Sequence, residues 1–375
     1  MPETVLITGG AGFIGSHLAD RLLALGHRVR VLDNLAERVH RNGRPAYLSS
    51  EIEFIEGDVR DRDAMERALR GADVVFHFAA YQDYQQDFST FFHTNAVSTA
   101  MIYELILAEG LPVRKVVVAS SQFVQGDGLY RTADGEVVAP TFRSAEQLER
   151  GDWEFRDAGG RPMQWLWTPE THADPANAYA MSKFSQEQQA MRFGARYAIP
   201  STALRFSIVQ GSRQSFYNTY SGACRIFSLH YYFGKAPTIY EDGRQRRDFV
   251  NIHDVIDANV LAMNDPRTDY QVFNVGGGTA WTVAQLAATV ARVFGREDLE
   301  PLLPGSYRFG DTRHACSDIA KLRALGWEPK RSMEQSVREY VAYLNEQTNV
   351  DDILAFATES MRMQNVVRQA RPYGL

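Results

Sequence analysis

Residues 8–15 of the chain read TGGAGFIG, and they sit between an apolar run, VLI, and the first turn of an amphipathic helix pattern. Short glycine patterns arise easily by chance, so the surroundings decide what this one means. TVLIT is a short β-rich run; FIGSHLADRLLALG has apolar residues at helical spacing and closes on Gly26; HRVRVLD is a second strand. IEFIEGDV, DRDAMERALRG, DVVFHFAA, NAVSTAMIYELILAEG and KVVVASS continue the alternation. This strand–helix rhythm predicts an α/β fold, a doubly wound parallel sheet with helices on both faces, in which ligands bind at the carboxyl ends of the strands.

In that context the glycines have separate tasks. Gly9 permits a tight turn and Gly12 lets backbone amides approach a pyrophosphate at the helix N-terminus, where Phe13 and Ile14 begin the helix. Gly15 lets helix and strand pack closely. Asp33 ends the second strand, where it can accept hydrogen bonds from ribose hydroxyls; this favours NAD over NADP, with Arg38 leaving a case for NADP. Asn34 follows Asp33. Asp58, followed by Val59, could reach the adenine amine or be a turn aspartate. FHFAA ends the next strand with Phe78 and then the small residues Ala79 and Ala80, where backbone must lie against a cofactor, and His77 is either a packed core histidine or a contact.

A second group of residues carries acid–base chemistry. Ser120 and Ser121 end the apolar strand KVVVASS on the same sheet edge. NAYAMSKFSQEQQA places Tyr179 and Lys183 four apart on one helical face. A free phenol has a pKa near ~10; a lysine ammonium and the positive nicotinamide of NAD⁺ would both lower it. That makes Tyr179 a base for a sugar hydroxyl, with Ser121 holding the same hydroxyl.

The charge balance fits a protein that meets small anionic ligands locally. The net charge is −6 with 45% hydrophobic and 23% charged residues, which argues against a general nucleic-acid binder. The two cysteines, Cys224 and Cys316, lie far apart. They exclude a disulfide framework and a cysteine-based zinc site, so no metal is expected and a reducing cytoplasm is. MPETVLITGG has no basic region followed by a long apolar stretch, so a leader is not expected. No window approaches the roughly 18 apolar residues of a membrane span, so no membrane partner is expected.

TGGAGFIG, the Ser121 strand end and the Tyr179–Lys183 pair together resemble the extended short-chain dehydrogenase/reductase family and, within it, the nucleotide-sugar epimerases and dehydratases, from residue 4 to about residue 345. The resemblance implies that Ser121, Tyr179 and Lys183 are catalytic and that NAD stays bound through the cycle. It gives Asn95 a structural, cofactor-supporting role. By the same likeness Arg247, in RDFVN, and Arg308 meet the diphosphate of a nucleotide sugar, and Asp311 meets its ribose. Arg213 and Asn218, in GSRQSFYNTYSG, belong to a substrate segment. Dehydratases of the family carry an Asp–Glu pair directly after the catalytic serine or threonine. Gln122 and Phe123 stand there, so 4-epimerisation of a dTDP-6-deoxyhexose or UDP-hexose is expected, with a dehydratase or reductase of the same family as the alternative and a non-catalytic NAD sensor as a further one; Gln122 is counted with the substrate site. Ile208 replaces an asparagine that the family uses near the phosphate, and Gln125 replaces a tyrosine.

The expected organisation is a dinucleotide-binding domain over residues 1–206, with 245–275 returning to it, and a smaller substrate domain formed by 207–244 and 276–375. Residues 127–170 are expected to form a metal-free hairpin lid anchored by Trp153, Trp165 and Trp167. The family expectation is a homodimer built from two long helices per subunit. The segment beyond residue 345 has helical apolar spacing that suits packing on the body or on a partner.

Overall fold

A computed structural model describes the chain except for residues 84, 141, 218–221, 349, 364–365 and 371–375. From the N-terminus it runs β1 (Thr4–Thr8), α1 (Phe13–Ala24), β2 (Arg28–Asp33), β3 (Glu53–Glu56), α2 (Arg62–Leu69), β4 (Val74–His77), α3 (Phe88–Phe91), a π-helical turn (Phe92–Val97), α4 (Ser98–Ala108) and β5 (Lys115–Ser121). An insertion follows with β6 (Tyr130–Arg131), β7 (Val137–Val138), α5 (Ala145–Glu149) and β8 (Gln164–Trp165). Then come α6 (Ala178–Tyr197), β9 (Ser201–Phe206), β10 (Ile208–Gln210), α7 (Ala223–Tyr232), β11 (Arg246–Asn251), α8 (Ile252–Asn264), β12 (Gln271–Val275), β13 (Ala280–Thr282) and α9 (Val283–Phe294). The chain closes with β14 (Ser306–Arg308), α10 (Ala320–Arg323), α11 (Met333–Asn345), α12 (Leu354–Met363) and β15 (Val367–Gln369).

Seven strands form one parallel sheet in the order β12-β9-β5-β4-β1-β2-β3. Its middle strands carry unbroken apolar runs rather than alternation, and every residue of β1 and of β5 is buried. Helices cover both faces, so neither side of a strand meets water. One face packs Val5, Ile7, Leu18, Val31, Phe76 and Val255 in a single cluster, and the other packs Leu6, Leu32, Met65, Val75, Ile102 and Val118. The strand order reverses between β1 and β4, which opens a crevice above their carboxyl ends.

A second core gathers Phe227, Leu229, Leu286, Val290, Val337 and Tyr340 from α7, α9 and α11. Its sheet is β10-β11-β13. Local sequence fixes these helices at their ends. Thr282 with Gln285 and Ser332 with Gln335 make capping boxes that start α9 and α11, and α9 stops at Gly295 in a left-handed conformation (φ 63°). The segment 245–275 is shared: β11 belongs to the small sheet, whereas β12 is the outer strand of the large one.

The insertion is more than a hairpin. β7-β6-β8 make a three-stranded antiparallel sheet, with Tyr130 packed edge-on against Phe155. Trp153 packs on Tyr307, and Trp165 lies edge-on to Trp167, beneath the Arg246 guanidinium. Among the described residues no group of three or more His, Cys, Asp or Glu could hold a metal ion, and no helix is long and apolar enough to cross a membrane.

Candidate active site

The turn after β1 leaves no room for side chains. Gly9 has φ 68°, and a Cβ there would lie 2.6 Å from the amide nitrogen of Ala79; one at Gly15 would lie 2.5 Å from the Gly9 carbonyl oxygen. Gly12 is the N-cap of α1, and no side chain caps the helix or places a carboxylate in its first turn. The first amides of a twelve-residue helix therefore stay open toward the crevice, an arrangement suited to an anion.

A cleft of about 340 Å³ lies there, lined by Gly9, Gly12, Asp33, Asn34, Asp58, Val59, Phe78, Ala79 and Ala80 of the residues expected from sequence. Phe13 and Ile14 are not part of the lining; their side chains pack against the sheet core, so only their backbone amides are available to a ligand. The Asp33 carboxylate accepts hydrogen bonds from the amides of Ala11 (3.0 Å) and Leu35 (2.9 Å), while burial pushes its pKa up. Asp58 is gripped by Arg60 and Asn34, which hold its carboxyl down at about 2. The open choice at His77 resolves to core: its ring is fully buried between the hydroxyls of Thr8 (2.7 Å) and Ser98 (2.9 Å), and burial pulls its pKa down to about 3.

Sequence reasoning missed part of this cleft. Tyr81, His40 and Arg60 also line it from loops, and Thr90 and Thr94 from α3 and the π-helical turn, with residue types that carry no pattern. Arg38 lines it too, but its guanidinium is ion-paired to Asp83 at 2.8 Å and lies 4.2 Å from the Tyr81 ring centre. Cleft, open helix end and paired glycines fit a dinucleotide.

Strand alternation sends Ser120 and Ser121 to opposite sides. Ser120 donates to Glu187 (2.8 Å), which also holds Arg205 in a buried two-point ion pair. Ser121 instead hydrogen-bonds the Tyr179 phenol and accepts the Phe123 amide at 3.2 Å. Asn177 caps α6 through the Ala180 amide, and the helix delivers Tyr179 and Lys183, both buried. Burial pushes the phenol up to about 12, against the pull of Ser121. Burial likewise pulls the Lys183 ammonium down to about 7, and its Nζ donates to Gln186 at 2.8 Å. The expectation that Lys183 lowers the Tyr179 pKa is corrected here. Ser121 is the group that lowers it, while desolvation dominates both residues and favours their neutral forms.

Asn95 lies in the π-helical turn and is fully buried. Its amide accepts from the Tyr81 amide (2.8 Å) and donates to the Tyr81 carbonyl (3.0 Å) and to Ser182 (2.9 Å). It thereby ties the cofactor-side loop to the helix carrying Tyr179.

On the wall formed by β11 and β14, Arg247 donates to the carbonyls of Arg313 (2.9 Å) and Thr312 (2.8 Å) and lies 3.8 Å from the Asp311 carboxylate. The Asp311 amide bonds the Arg308 carbonyl at 3.2 Å, so the turn after β14 links the backbone of Arg308 to Asp311, which Arg247 approaches. Arg213 is not among them: with φ 65° it pairs with Asp20 of α1 at 2.7 Å and covers the Tyr47 ring. Asn218 lies outside the described residues. Gln122 is buried, with its Nε2 3.4 Å from the Ser317 hydroxyl and its Oε1 without a hydrogen-bond partner.

The insertion is fastened to this wall by buried charges that the sequence did not flag. Arg143 pairs with Glu241 (2.8 Å) and donates to the Asp311 carbonyl; Arg313 pairs with Glu241 and Asp242, both at 2.7 Å, and with Glu154. His314 also bonds Glu154, at 3.1 Å.

A seven-stranded Rossmann sheet with a glycine turn after its first strand, a serine buried at the end of β5 and a tyrosine and lysine buried on α6 defines an extended short-chain dehydrogenase/reductase. The chain belongs to the NAD dependent epimerase/dehydratase family, which it matches over residues 5–144 and 158–276. It is 33% identical to the dTDP-L-rhamnose 4-epimerase of Burkholderia thailandensis, over 91% of this chain and 95% of that protein. It is 31% identical to the UDP-glucose 4-epimerase of Mycolicibacterium smegmatis, over 90% of this chain and 97% of that one. Among solved structures, UDP-glucose 4-epimerase of Thermotoga maritima with UDP-glucose superposes with a TM-score of 0.74 at 31% identity, covering 92% of this chain and 99% of that one. UDP-glucose 4-epimerase of Thermus thermophilus in complex with NAD gives 0.70 at 27% identity, with 92% and 100% covered.

Proposed function

We propose that the chain inverts C4 of a hexose carried on a nucleoside diphosphate, a dTDP-6-deoxyhexose or a UDP-hexose, through a 4-keto intermediate and without net redox change. The observation that carries this is the buried Ser121–Tyr179 pair on a helix that Asn95 ties to the Tyr81 loop of the dinucleotide cleft, with Gln122 and Phe123 in place of a carboxylate pair. Bound NAD supplies a hydride acceptor and donor, and a positive charge. Tyr179 takes the proton of the 4-hydroxyl and later gives it back, and Ser121 holds that oxygen in line. Arg247 and Arg308 anchor the diphosphate, and Asp311 the ribose, so the sugar can turn while its nucleotide stays fixed. The insertion acts as a wall rather than a hinged lid, because lifting it would break the buried Arg143–Glu241 pair, 2% and 4% exposed, and leave Glu241 in the interior with one guanidinium fewer.

Residues 1–206 form the cofactor half and the β10-β11-β13 body the substrate half. The second half shares the 245–275 segment with the first. Homodimerisation through α4 and α6 is supported by the exposed apolar side chains Val97, Leu107 and Met181 on this pair and its leading turn. The buried free thiols of Cys224 and Cys316 support a reducing, cytoplasmic setting.

A panel of dTDP-, UDP- and GDP-hexoses, incubated in deuterated water without added NADH and followed by NMR, tests the reading. Inversion at C4 alone is expected. Deuterium at C5 with loss of the C6 hydroxyl would instead make the enzyme a dehydratase, and stoichiometric NADH release a dehydrogenase.

A further inference from the structure

The chain beyond α11 turns back onto the wall that carries Arg308. β15 pairs antiparallel with β14, Val367 opposite Arg308, and these two strands form a sheet of their own. The Phe309 amide donates to the Val366 carbonyl and the Ala370 amide to the Gly305 carbonyl, each at 3.1 Å. The Arg368 guanidinium covers the Phe309 ring at 4.1 Å. From α12, Met361 is 7% exposed and sets its sulfur 3.5 Å from Nη2 of Arg308, whose guanidinium lies 4.9 Å from the Tyr240 ring centre. Upstream, Asp351 is paired to Arg41 at 2.8 Å and Asp352 to Lys235, so the return path is tied to both halves of the molecule.

We propose that α12 and β15 preorganise the diphosphate subsite, with Met361 as a positioning residue that holds the Arg308 guanidinium against Tyr240. This rests on the reading of Arg308 as a phosphate partner and deepens it. An arginine free to sample rotamers must be ordered when phosphate binds, and that ordering weakens binding. A guanidinium already held between a ring and a thioether, on a strand that depends on β15 for its pairing, has lost that freedom beforehand. The segment thus serves nucleotide affinity without touching the reacting carbon.

The test titrates UDP and dTDP into the full-length, NAD-loaded protein by calorimetry. Met361→Ala should weaken nucleotide binding about two- to tenfold, the range expected for one arginine newly ordered on binding. Met361→Leu, which keeps the bulk, should stay close to the parent. Arg368→Pro, which removes a strand amide opposite Tyr307, should weaken binding as Met361→Ala does, with Arg368→Ala as the control for charge. Bound NAD should be unchanged in all of them. Arg308→Ala should weaken binding more, and adding Met361→Ala to it should cost nothing further, since a residue that acts through Arg308 has no effect once Arg308 is gone. Parent-like binding in Met361→Ala, or an equal loss with and without Arg308, overturns the proposal. If Arg308→Ala alone binds both nucleotides like the parent, the phosphate reading of Arg308 fails and takes this proposal with it, a result distinct from the other two.

Discussion

Tyr179→Phe separates the chemistry from the scaffold. In the field of the protein's own groups the phenol titrates at about 12, so at pH 7.5 only about 3 × 10⁻⁵ of it is phenolate. Bringing that pKa to about 8 requires roughly 5 kcal/mol of added preference for the anion. A unit positive charge at about 5 Å contributes about 3 kcal/mol at an effective dielectric constant of 20. The cationic nicotinamide of NAD⁺ would therefore supply the larger part of that preference, since Lys183 does not lower the Tyr179 pKa. Removing the oxygen should lower turnover by about 10²–10⁴-fold. The structural cost is one hydrogen bond, about 0.5–1.5 kcal/mol, and Ser121 keeps the Phe123 amide, so folding and bound NAD should survive. Two assays check this: NMR of C4 inversion, and the phenolate absorbance difference between NAD⁺- and NADH-loaded protein, present in the parent and absent in the Phe variant. In the parent the rate should climb with pH until the phenol of the NAD⁺-loaded enzyme has titrated. A Phe variant with near-parental turnover, or a phenolate signal that persists in it, refutes the reasoning.

The remaining predictions concern cofactor, substrate and wall. Asp33→Ala should lose most of the NAD released by heat from the purified protein, because the adenosine end loses its acceptor; unchanged NAD content counts against the cradle. Arg247→Ala should weaken UDP and dTDP binding at least about tenfold, since charged hydrogen bonds contribute about 1.5–3 kcal/mol; parental affinity in calorimetry would remove it from the subsite. Arg143→Ala leaves Glu241 buried with one guanidinium fewer and should destabilise the fold by about 3–5 kcal/mol in urea unfolding, whereas a loss under about 1 kcal/mol would mean the insertion is only loosely attached. Burial opposes ionisation of Glu154, yet His314 and Arg313 hold its carboxyl down at about 2. A carboxyl depressed in the fold adds stability above its ordinary value near 4.5 and loses it as pH falls toward 2. The gap in melting temperature between parent and Glu154→Gln should therefore close across that acid range, and a gap independent of pH there would rule out the ionised pairing.

The sheet was readable because its signals are local. Buried parallel strands are apolar runs, their helices carry 3.6-residue periodicity, and Gly9 and Gly15 are required where backbones approach within van der Waals contact. Ser121, Tyr179 and Lys183 were readable for the same reason, since each sits at a strand end or on one helical face. What escaped is non-local. Arg143, Glu154, Glu241 and Arg313 look like ordinary surface charges in four separate segments, and nothing in their spacing announces that they meet in the interior. Arg213 pairs with Asp20, 193 positions earlier, a contact that no local pattern announces. The electrostatic argument for Tyr179 treated the residues as if in water, where a neighbouring ammonium dominates; in a buried site desolvation is the larger effect.

That reversal bears on the reaction itself. Burial disfavours the charged forms of Tyr179 and Lys183, so under the proposed function a positive cofactor would favour the phenolate and couple proton transfer to the oxidised dinucleotide. Dehydration would need a further acid and base at the sugar's far end, and the buried group following Ser121 is Gln122, an amide that can hydrogen-bond but not exchange a proton near neutral pH. Replacing it by Glu is the sharpest way to probe that boundary. Its Oε1 has no partner, and its Nε2 has only the Ser317 hydroxyl at 3.4 Å. A carboxyl there would be desolvated, its pKa raised, and held largely as the acid. Gln122→Glu should therefore keep NAD bound and slow C4 inversion by disturbing the sugar's seat, without producing a 4-keto-6-deoxy product, because Phe123 still supplies no base for C5. Appearance of C5 deuterium in the Gln122→Glu enzyme would show that one carboxyl suffices, and that the split between epimerase and dehydratase rests on this position alone.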